Sequence, residues 1–171
     1  MLNRRKFIQQ TAFTAGAIMA SRWAEAADSG IQRLTILHTN DVHSRLEPFP
    51  MDGSRNQGLG GVAARAKLIE DIRSKEEHVL LLDAGDIFQG TPYFNLYKGE
   101  PEIKAMSKMG YDACTMGNHD FDGGLENFAT QLKHANFPVL LCNYDFTNTV
   151  MEYKYVPYII VKKGKLKIGI T

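Results

Sequence analysis

Short apolar runs alternate with helical patterns between residues 34 and 142 of this chain. The apolar runs predict strands, and the segments in which apolar residues recur every three or four positions predict helices. The predicted strands are 34–39, 78–83, 112–116 and 138–142, and the predicted helices are 62–73, 102–109 and 125–135. Regular βαβα alternation favours a parallel sheet with right-handed crossovers, and therefore an α/β fold.

The pattern changes after residue 150. Segments 155–161 and 165–170 flank Lys162-Lys163-Gly164, which predicts a hairpin. The final residues, Gly169-Ile170-Thr171, still belong to the second of these apolar segments. We therefore expect the sequence to be a fragment of a longer domain.

The first 26 residues have the pattern of a secretory signal peptide. Paired arginines at Arg4 and Arg5 precede a mildly apolar stretch, 11–20, and Ala24-Glu25-Ala26 is a small-x-small cleavage pattern. The paired arginines resemble the twin-arginine export signal, which predicts a periplasmic or extracellular protein. The apolar stretch is too short to span a bilayer, so we expect no stable membrane anchor once residues 1–26 are removed.

Composition excludes few functions but argues against nucleic acid polymers as partners. The 171 residues are 44% hydrophobic and 23% charged, with a net charge of +1. Removal of residues 1–26 leaves a charge of about −2, without the basic excess typical of nucleic-acid binding. Cys114 and Cys142 lie within predicted strands and are expected to be buried free thiols. A bond between neighbouring strands remains open in an oxidising compartment.

Polar side chains follow three of the predicted strands. Asp41 and His43 follow the first, Asp86 follows the second, and 117–122 follows the third. The carboxyl ends of parallel strands meet at one edge of a sheet. In extended backbone Asp41 and His43 point the same way and can share one ion, and Asp86 can bridge two. With the amide oxygen of Asn118, these donors predict a site for two divalent metal ions.

His119 and Asp122 are the candidate catalytic pair. His119 directly follows Asn118, so its ring is expected to point away from the metals and towards a substrate. There it would act as a general acid or stabilise a phosphoryl oxygen. Asp122, three residues later, is expected to orient the ring, because the adjacent Asp120 should point elsewhere. Two such ions can hold a bridging hydroxide for in-line attack on phosphorus.

Two further interpretations concern residues near this edge. His38 lies inside the first predicted strand and is expected to be a packed core histidine rather than a ligand. The aromatic residues around the second loop could form a substrate wall or could pack the loop itself. These residues are Phe88, Tyr93, Phe94 and Tyr97.

Taken together, the motifs resemble those of the calcineurin-like metallophosphoesterases. The blocks D-x-H, G-D and G-N-H-[DE] occur here at 41–43, 85–86 and 117–120. The wider phrases 37–43, 60–65, 83–91 and 117–122 are similar to those of the secreted 5'-nucleotidase group. The resemblance extends from about residue 33 to the end.

This resemblance implies a four-layer αββα sandwich with a centre of two divalent ions, which could be Zn, Mn, Mg, Ca or Co. The residues that match the family's metal ligands are Asp41, His43, Asp86 and Asn118, and those that match its catalytic pair are His119 and Asp122. Further ligands and a separate C-terminal nucleotide-binding domain would lie beyond Thr171. Residues 27–171 would then be the N-terminal part of the catalytic domain, expected by itself to bind metal weakly and to show little turnover.

The expected function is metal-dependent hydrolysis of small phosphate esters, 5'-nucleotides foremost. Cyclic nucleotides and nucleotide sugars are alternative substrates on the same scaffold. An exported protein that binds phosphate or metal without hydrolysis is an alternative of another class, and a half-enzyme completed by another chain is a third. The pair His119–Asp122 favours an enzyme, because binding alone needs no positioned acid.

Overall fold

Three short parallel strands form the sheet around which the other elements are arranged. The computed structural model describes residues 31–171, so the predicted signal peptide, 1–26, lies outside the described residues. The strands, in spatial order, are β1 (Thr35–Thr39), β2 (Val79–Asp83) and β3 (Ala113–Cys114). Both pairings are parallel, as the βαβα pattern predicts.

Helices connect the strands, and a hairpin follows them. The helices are α1 (Val62–Arg73), α2 (Pro92–Tyr97), α3 (Glu100–Met109) and α4 (Leu125–Gln131), with 3₁₀ helices at Asn118–Phe121 and Leu132–His134. The predicted hairpin is present as the antiparallel strands β4 (Ile159–Lys163) and β5 (Leu166–Ile170). Within residues 31–171, no helix is both long and apolar enough to span a bilayer.

The central strand β2 sets the position of every loop at the functional edge. Val79, Leu80 and Leu81 are buried, as expected for the middle strand of a sheet. At its end, Asp83 lies beside Thr39 of β1 and Cys114 of β3. Because all three strands end in the same direction, the loops that follow them meet at one edge of the sheet.

The core explains the aromatic residues of the second loop. The rings of Phe88 and Phe94 are buried, with their centroids 5.2 Å apart, and Phe128 of α4 lies 5.6 Å from Phe88. These two loop residues therefore pack the loop rather than line a substrate wall. Tyr93 and Tyr97 lie outside the core and stack on each other, 6.4 Å apart.

The prediction of a fourth strand at 138–142 is wrong, because this segment does not form a regular strand. This segment makes only isolated bridges, Val139 to Cys114 and Leu140 to Val156. Its pairing partner changes after a single residue, so no continuous ladder of hydrogen bonds develops. The third strand is likewise shorter than predicted, with 113–114 in place of 112–116.

Two helices also differ from their predictions. The helix α2 was not predicted; it begins at Pro92, whose fixed φ suits a first helical position. The predicted helix 125–135 is an α-helix only to Gln131, and the 3₁₀ helix 132–134 continues it.

His38 and Cys142 are exposed, contrary to prediction. Alternation along β1 packs Leu37 against the core and turns His38, like Ile36, to the opposite and exposed face. Cys142 lies where the chain bends after Leu141, so it is not buried within a strand. Cys114 is buried as predicted, and both cysteines are free thiols.

A buried carboxyl group joins the ends of β1 and β2. Asp83 accepts hydrogen bonds from the Thr39 hydroxyl at 2.5 Å and from the Gly85 N–H at 2.9 Å. The Tyr111 hydroxyl contacts the same threonine oxygen at 2.7 Å. Burial raises the pKa of Asp83 from 3.8 to about 6, despite these hydrogen bonds to its charged form. The group therefore opposes folding at neutral pH.

A second buried carboxylate ties two loops together. Asp120 is fully buried and accepts four backbone hydrogen bonds of 2.9–3.0 Å, from Asp86, Ile87, Phe88 and Gly117. Each carboxylate oxygen receives two of them. Burial raises the pKa of Asp120, and the four N–H donors oppose that shift. The loops after β2 and β3 are thus held together by one side chain.

Replacement Asp83→Asn should stabilise the protein at pH 7.5 but not at pH 4. The amide can still accept from Gly85 and donate to Thr39, while the charged form is removed. Because the folded pKa of Asp83 is raised, its favourable contribution is present below 3.8 and is lost as pH rises through about 6. The gain should be about 1–3 kcal/mol in the free energy of unfolding, measured by urea titration at both pH values. The control is Asp71→Asn on α1, where the side chain is 46% exposed. An equal gain in the free energy of unfolding of Asp83→Asn at both pH values would contradict this explanation.

Replacement Asp120→Asn should destabilise the protein by about 3 kcal/mol. Whichever way the amide is turned, its NH₂ group faces two buried backbone N–H donors, and each unpaired donor costs roughly 1–3 kcal/mol. Urea unfolding at neutral pH measures the loss. The exposed Asp122→Asn is the matched control and should change the free energy of unfolding by less than about 1 kcal/mol. Equal urea midpoints for the two variants would show that the four hydrogen bonds do not hold the loops.

Candidate metal centre

Consecutive backbone hydrogen bonds join the loop after β1 to the loop after β2. They run from the N–H of Asp41 to the Gly85 carbonyl at 2.9 Å, from His43 to Asp86 at 3.1 Å, and from Ser44 to Ile87 at 2.9 Å. The hydroxyl of Thr91 adds a hydrogen bond to the carbonyl of Ser44 at 3.0 Å. The two loops are therefore held in a fixed register, which sets where their side chains emerge.

The backbone at these positions is left-handed, not extended as the sequence interpretation assumed. Asp41, His43, Ser44 and Asp86 have φ values of 51°, 46°, 52° and 57°. Non-glycine residues in this region cost of order 1–3 kcal/mol each and persist only where the surroundings impose them. Asp41 and His43 consequently converge through a tight turn rather than through the alternation of a strand.

The side chains of Asp41, His43 and Asp86 form a cluster of three metal-type donors. One ligand atom from each lies within 4.8 Å of the others. The His43 Nε2 is 3.7 Å from the Asp41 Oδ1 and 4.0 Å from the Asp86 Oδ2. Ligands bound to one ion at about 2.1 Å lie roughly 3–4 Å apart, so this spacing fits a divalent cation. Two carboxylates and an imidazole suit hard to borderline metals.

The loop after β3 supplies the remaining sequence-predicted residues. The N–H of His119 donates to the Asp86 Oδ1 at 2.8 Å, which fixes that carboxylate and leaves its Oδ2 towards His43. Asn118 is exposed at the first position of the 3₁₀ helix, one residue before this hydrogen bond. It is therefore adjacent in sequence to the residue whose N–H binds Asp86.

His119 and Asp122 form a hydrogen-bonded pair next to the cluster. The His119 Nδ1 lies 2.8 Å from the Asp122 Oδ2, and the rings of His119 and His43 meet edge-on with centroids 5.1 Å apart. The hydrogen bond to Asp122 raises the pKa of His119, and the same bond lowers the pKa of Asp122. With Nδ1 engaged, Nε2 is the ring nitrogen available to a substrate. Asp120 turns inward, away from this pair.

A groove of about 600 Å³ opens beside Asp41 and His43. Arg45 and Arg65 line it, and the guanidinium of Arg45 lies 4.3 Å from the centre of the Phe49 ring. Two guanidinium groups beside a candidate metal centre favour an anionic occupant.

Sequence reasoning missed two buried acids, Asp120 and Glu102, of which Asp120 supports the site. Asp120 was expected only to point away from His119, although an acid three residues after Gly117 has the spacing of a side chain that caps the preceding turn. Glu102 is buried on α3 near the hydroxyl of Ser44, and burial raises its pKa while that hydroxyl opposes the shift. An acid among the apolar positions of a predicted helix was the available signal for Glu102.

Comparison with known proteins extends these observations. Residues 34–168 match the family model of the calcineurin-like phosphoesterases. The chain is 46% identical over 150 residues to a snake venom 5'-nucleotidase of Crotalus adamanteus, covering 83% of this chain and 25% of that protein. It is 41% identical over 163 residues to a 5'-nucleotidase of Homo sapiens, covering 91% and 28% respectively.

Solved structures give the same result. The chain superposes on a 5'-nucleotidase precursor of Thermus thermophilus with a TM-score of 0.73 and 39% identity, covering 80% of this chain and 27% of that one. A NAD nucleotidase of Haemophilus influenzae gives 0.72 and 34%, with 80% and 25% covered. The chain thus spans about a quarter of the length of these relatives, and the expected metallophosphoesterase fold is confirmed. By the family match and by its relatives, the chain belongs to the calcineurin-like phosphoesterase family.

Proposed function

We propose that this chain carries part of the active site of a metal-dependent hydrolase of phosphate esters, with 5'-nucleotides as substrates and nucleoside and phosphate as products. The proposal rests on the contact between the donor cluster and the catalytic pair. The donor cluster of Asp41, His43 and Asp86 lies directly beside the hydrogen-bonded pair His119–Asp122. Metal binding and proton transfer could therefore act on one phosphate group.

The proposed metal ligands are Asp41, His43, Asp86 and Asn118, as the sequence predicts. Two divalent ions there would act as Lewis acids and would supply a water-derived nucleophile at neutral pH. The role of the chain is to fix the ligands before any ion binds. The hydrogen bond from the His119 N–H to Asp86 and the three bonds between the first two loops achieve this.

The proposed catalytic pair protonates the leaving group. Asp122 holds the Nδ1–H of His119, which leaves Nε2 to donate to a phosphoryl oxygen or to the leaving alcohol. As the ester P–O bond breaks, the alcohol oxygen gains this proton and leaves as a neutral product. A pKa of His119 raised by Asp122 keeps the ring protonated closer to neutral pH.

The proposed substrate class is supported by the relatives and by the positive charge of the groove. The relatives described above include 5'-nucleotidases and a NAD nucleotidase, which favours small nucleotides as substrates. The arginines of the groove beside Asp41 suit an anionic substrate. We further propose residues 1–26 as an export signal and 27–171 as the N-terminal part of a catalytic domain, in a periplasmic or extracellular protein.

Replacement Asp86→Ala should weaken binding of Co²⁺ or Mn²⁺ by this chain at least tenfold. The variant removes a buried carboxylate from the only group of three or more His, Cys, Asp or Glu donors found in the described part of the chain. Visible absorption of bound Co²⁺ reports affinity and coordination directly, independently of turnover. The control is Asp71→Ala on the exposed face of α1, which should bind like the wild type. Unchanged Co²⁺ affinity in Asp86→Ala would exclude this cluster as the metal site.

Replacement His119→Ala in the complete gene product should lower kcat for 5'-nucleotide hydrolysis by about 10²–10⁴, because the general acid is lost. Bound metal, measured by elemental analysis, should be retained. Asp122→Asn should lower kcat less, since the imidazole itself remains. Equal turnover in wild type and His119→Ala, or no hydrolysis by the wild type with metal and phosphate still bound, would instead support an exported binding protein.

A further inference from the structure

The arginine groove is the cavity of about 600 Å³ that Arg45 and Arg65 line beside the donor cluster. Small-molecule sites in proteins occupy roughly 300–1,000 Å³, so the groove is large enough for part of a substrate. Its walls are fixed, because the N–H of Val62 at the start of α1 donates to the Leu46 carbonyl at 2.8 Å. A β-carbon on Gly61 would lie 2.9 Å from the backbone of the same loop. The groove is therefore present before any ligand binds.

Neither arginine of the groove has its charge balanced by an acid. The guanidinium of Arg45 lies over the Phe49 ring, 4.3 Å from its centre, which holds the charge in place without neutralising it. Within residues 31–171, the ion pairs of 4.0 Å or less include neither Arg45 nor Arg65. A guanidinium presents its N–H donors in a planar fork that matches the oxygens of a phosphate.

Arg65 also has a buried donor without an acceptor. The Nε of Arg65 is buried, and it has no hydrogen-bond partner among the described residues. Buried N–H groups in folded proteins are almost always paired. A ligand oxygen in the groove would supply an acceptor for this arginine.

The rest of the lining does little to oppose an anion. Asp41 is the only acid among the described residues that line the groove, and in the proposed function its charge faces a metal ion. The first turn of α1 contains no acidic residue, and Gly61 before it has no side chain that could cap the helix. The groove therefore favours negatively charged groups.

The groove adjoins the place of the phosphate that is cleaved in the proposed function. Asp41 and His43 belong both to the donor cluster and to the lining of the groove. A 5'-mononucleotide has a single phosphate, and in the proposed function the donor cluster already accounts for it. The two arginines are donors in excess of that phosphate, and a second phosphate linked to the first matches their charge and geometry.

We propose that the arginine groove is a subsite for a second phosphate group of the substrate, joined to the cleaved phosphate through a phosphoanhydride. The proposal rests on the proposed function and names a substrate class within it, nucleotides with two linked phosphates, which should bind more tightly than 5'-mononucleotides. In hydrolysis the water oxygen joins the terminal phosphorus, and the bridging oxygen stays with the nucleoside monophosphate and takes up the proton released by the water. Arg45 and Arg65 hold the phosphate that is not cleaved, so they determine specificity and take no part in bond breaking.

Calorimetry with ligands that resist hydrolysis tests the subsite. The protein is the complete gene product loaded with Zn²⁺. One ligand is a nucleoside diphosphate analogue with CH₂ in place of the bridging oxygen, and the other is the matching nucleoside phosphonate with CH₂ in place of the ester oxygen. The wild type should bind the diphosphate analogue at least about tenfold more tightly, because only this ligand has a group for the arginines.

Arg45→Gln and Arg65→Gln are the test variants, because glutamine stays polar but removes the charge and the fork. Each should weaken binding of the diphosphate analogue about tenfold and of the phosphonate less than about twofold. Arg55→Gln is the matched control, since Arg55 is exposed in the same loop as Arg45 and lies outside the lining. It should bind both ligands like the wild type. The preference of the wild type is measured without any variant, so a variant that fails to fold does not block the test.

Inorganic phosphate distinguishes a linked phosphate from a free one. Added to protein saturated with the phosphonate, it should give no binding heat at the concentrations at which the diphosphate analogue binds. Phosphate binding that Arg45→Gln removes would make the groove a site for free phosphate and would overturn the proposal.

Equal affinity of the wild type for the two analogues would also overturn the proposal. So would equal losses of both analogues in the test variants, or the same losses in Arg55→Gln. A preference for the diphosphate analogue that the test variants abolish would support the subsite even if the complete protein hydrolyses no nucleotide. Failure of the proposed function is thus distinct from failure of the subsite.

Discussion

The structure of the site depends on one buried carboxylate that accepts four backbone hydrogen bonds. Asp120 receives three of them from the consecutive residues 86–88 and one from Gly117. Two loops that follow different strands are thereby fixed at hydrogen-bonding distance from the same side chain. Because Asp86 is one of the donors, its backbone cannot move independently of the segment that carries His119. A polar group buried this deeply is stabilising only when all its partners are present.

Two glycines make that close approach possible. A β-carbon on Gly85 would clash with the backbone of Gly117, and one on Gly117 would clash with the carboxylate and the backbone N of Asp86. The glycines of the G-D and G-N-H blocks are therefore needed for steric reasons, in addition to the chemical role of the residues that follow them. Glycine lets the loop backbones touch, and the residues after each glycine present their side chains in the space between them.

The acidic residues around the site differ in burial, and Asp86 of the donor cluster is itself buried. Asp83, Glu102 and Asp120 are buried, and burial raises the pKa of each. Asp83 joins the ends of β1 and β2, and Asp120 makes the contact between the two loops. Asp41 and Asp122 are more exposed and lie beside histidine rings, those of His43 and His119 respectively. Asp83 reduces the stability that the chain would have with a neutral group there, whereas Asp120 accepts four backbone hydrogen bonds that a neutral amide could not all replace.

The parallel α/β arrangement and the three segments that carry the polar site residues are predictable from the sequence alone. Apolar runs mark β1 and β2 clearly, and parallel strands must end at one edge, so the meeting of 41–43, 86 and 117–122 follows from topology alone. The sequence also favoured Asp122 over Asp120 as the partner of His119, because the side chains of adjacent residues usually point apart.

The local conformations and the supporting contacts, by contrast, depend on the folded chain. The left-handed backbone of Asp41 and His43 and the burial of Asp120 depend on neighbours more than 30 residues away in sequence. The exposure of His38 depends on which face of β1 the helices cover. Local propensity and periodicity carry no information about such long-range partners, since a hydrogen bond between two loops exists only after both strands have paired.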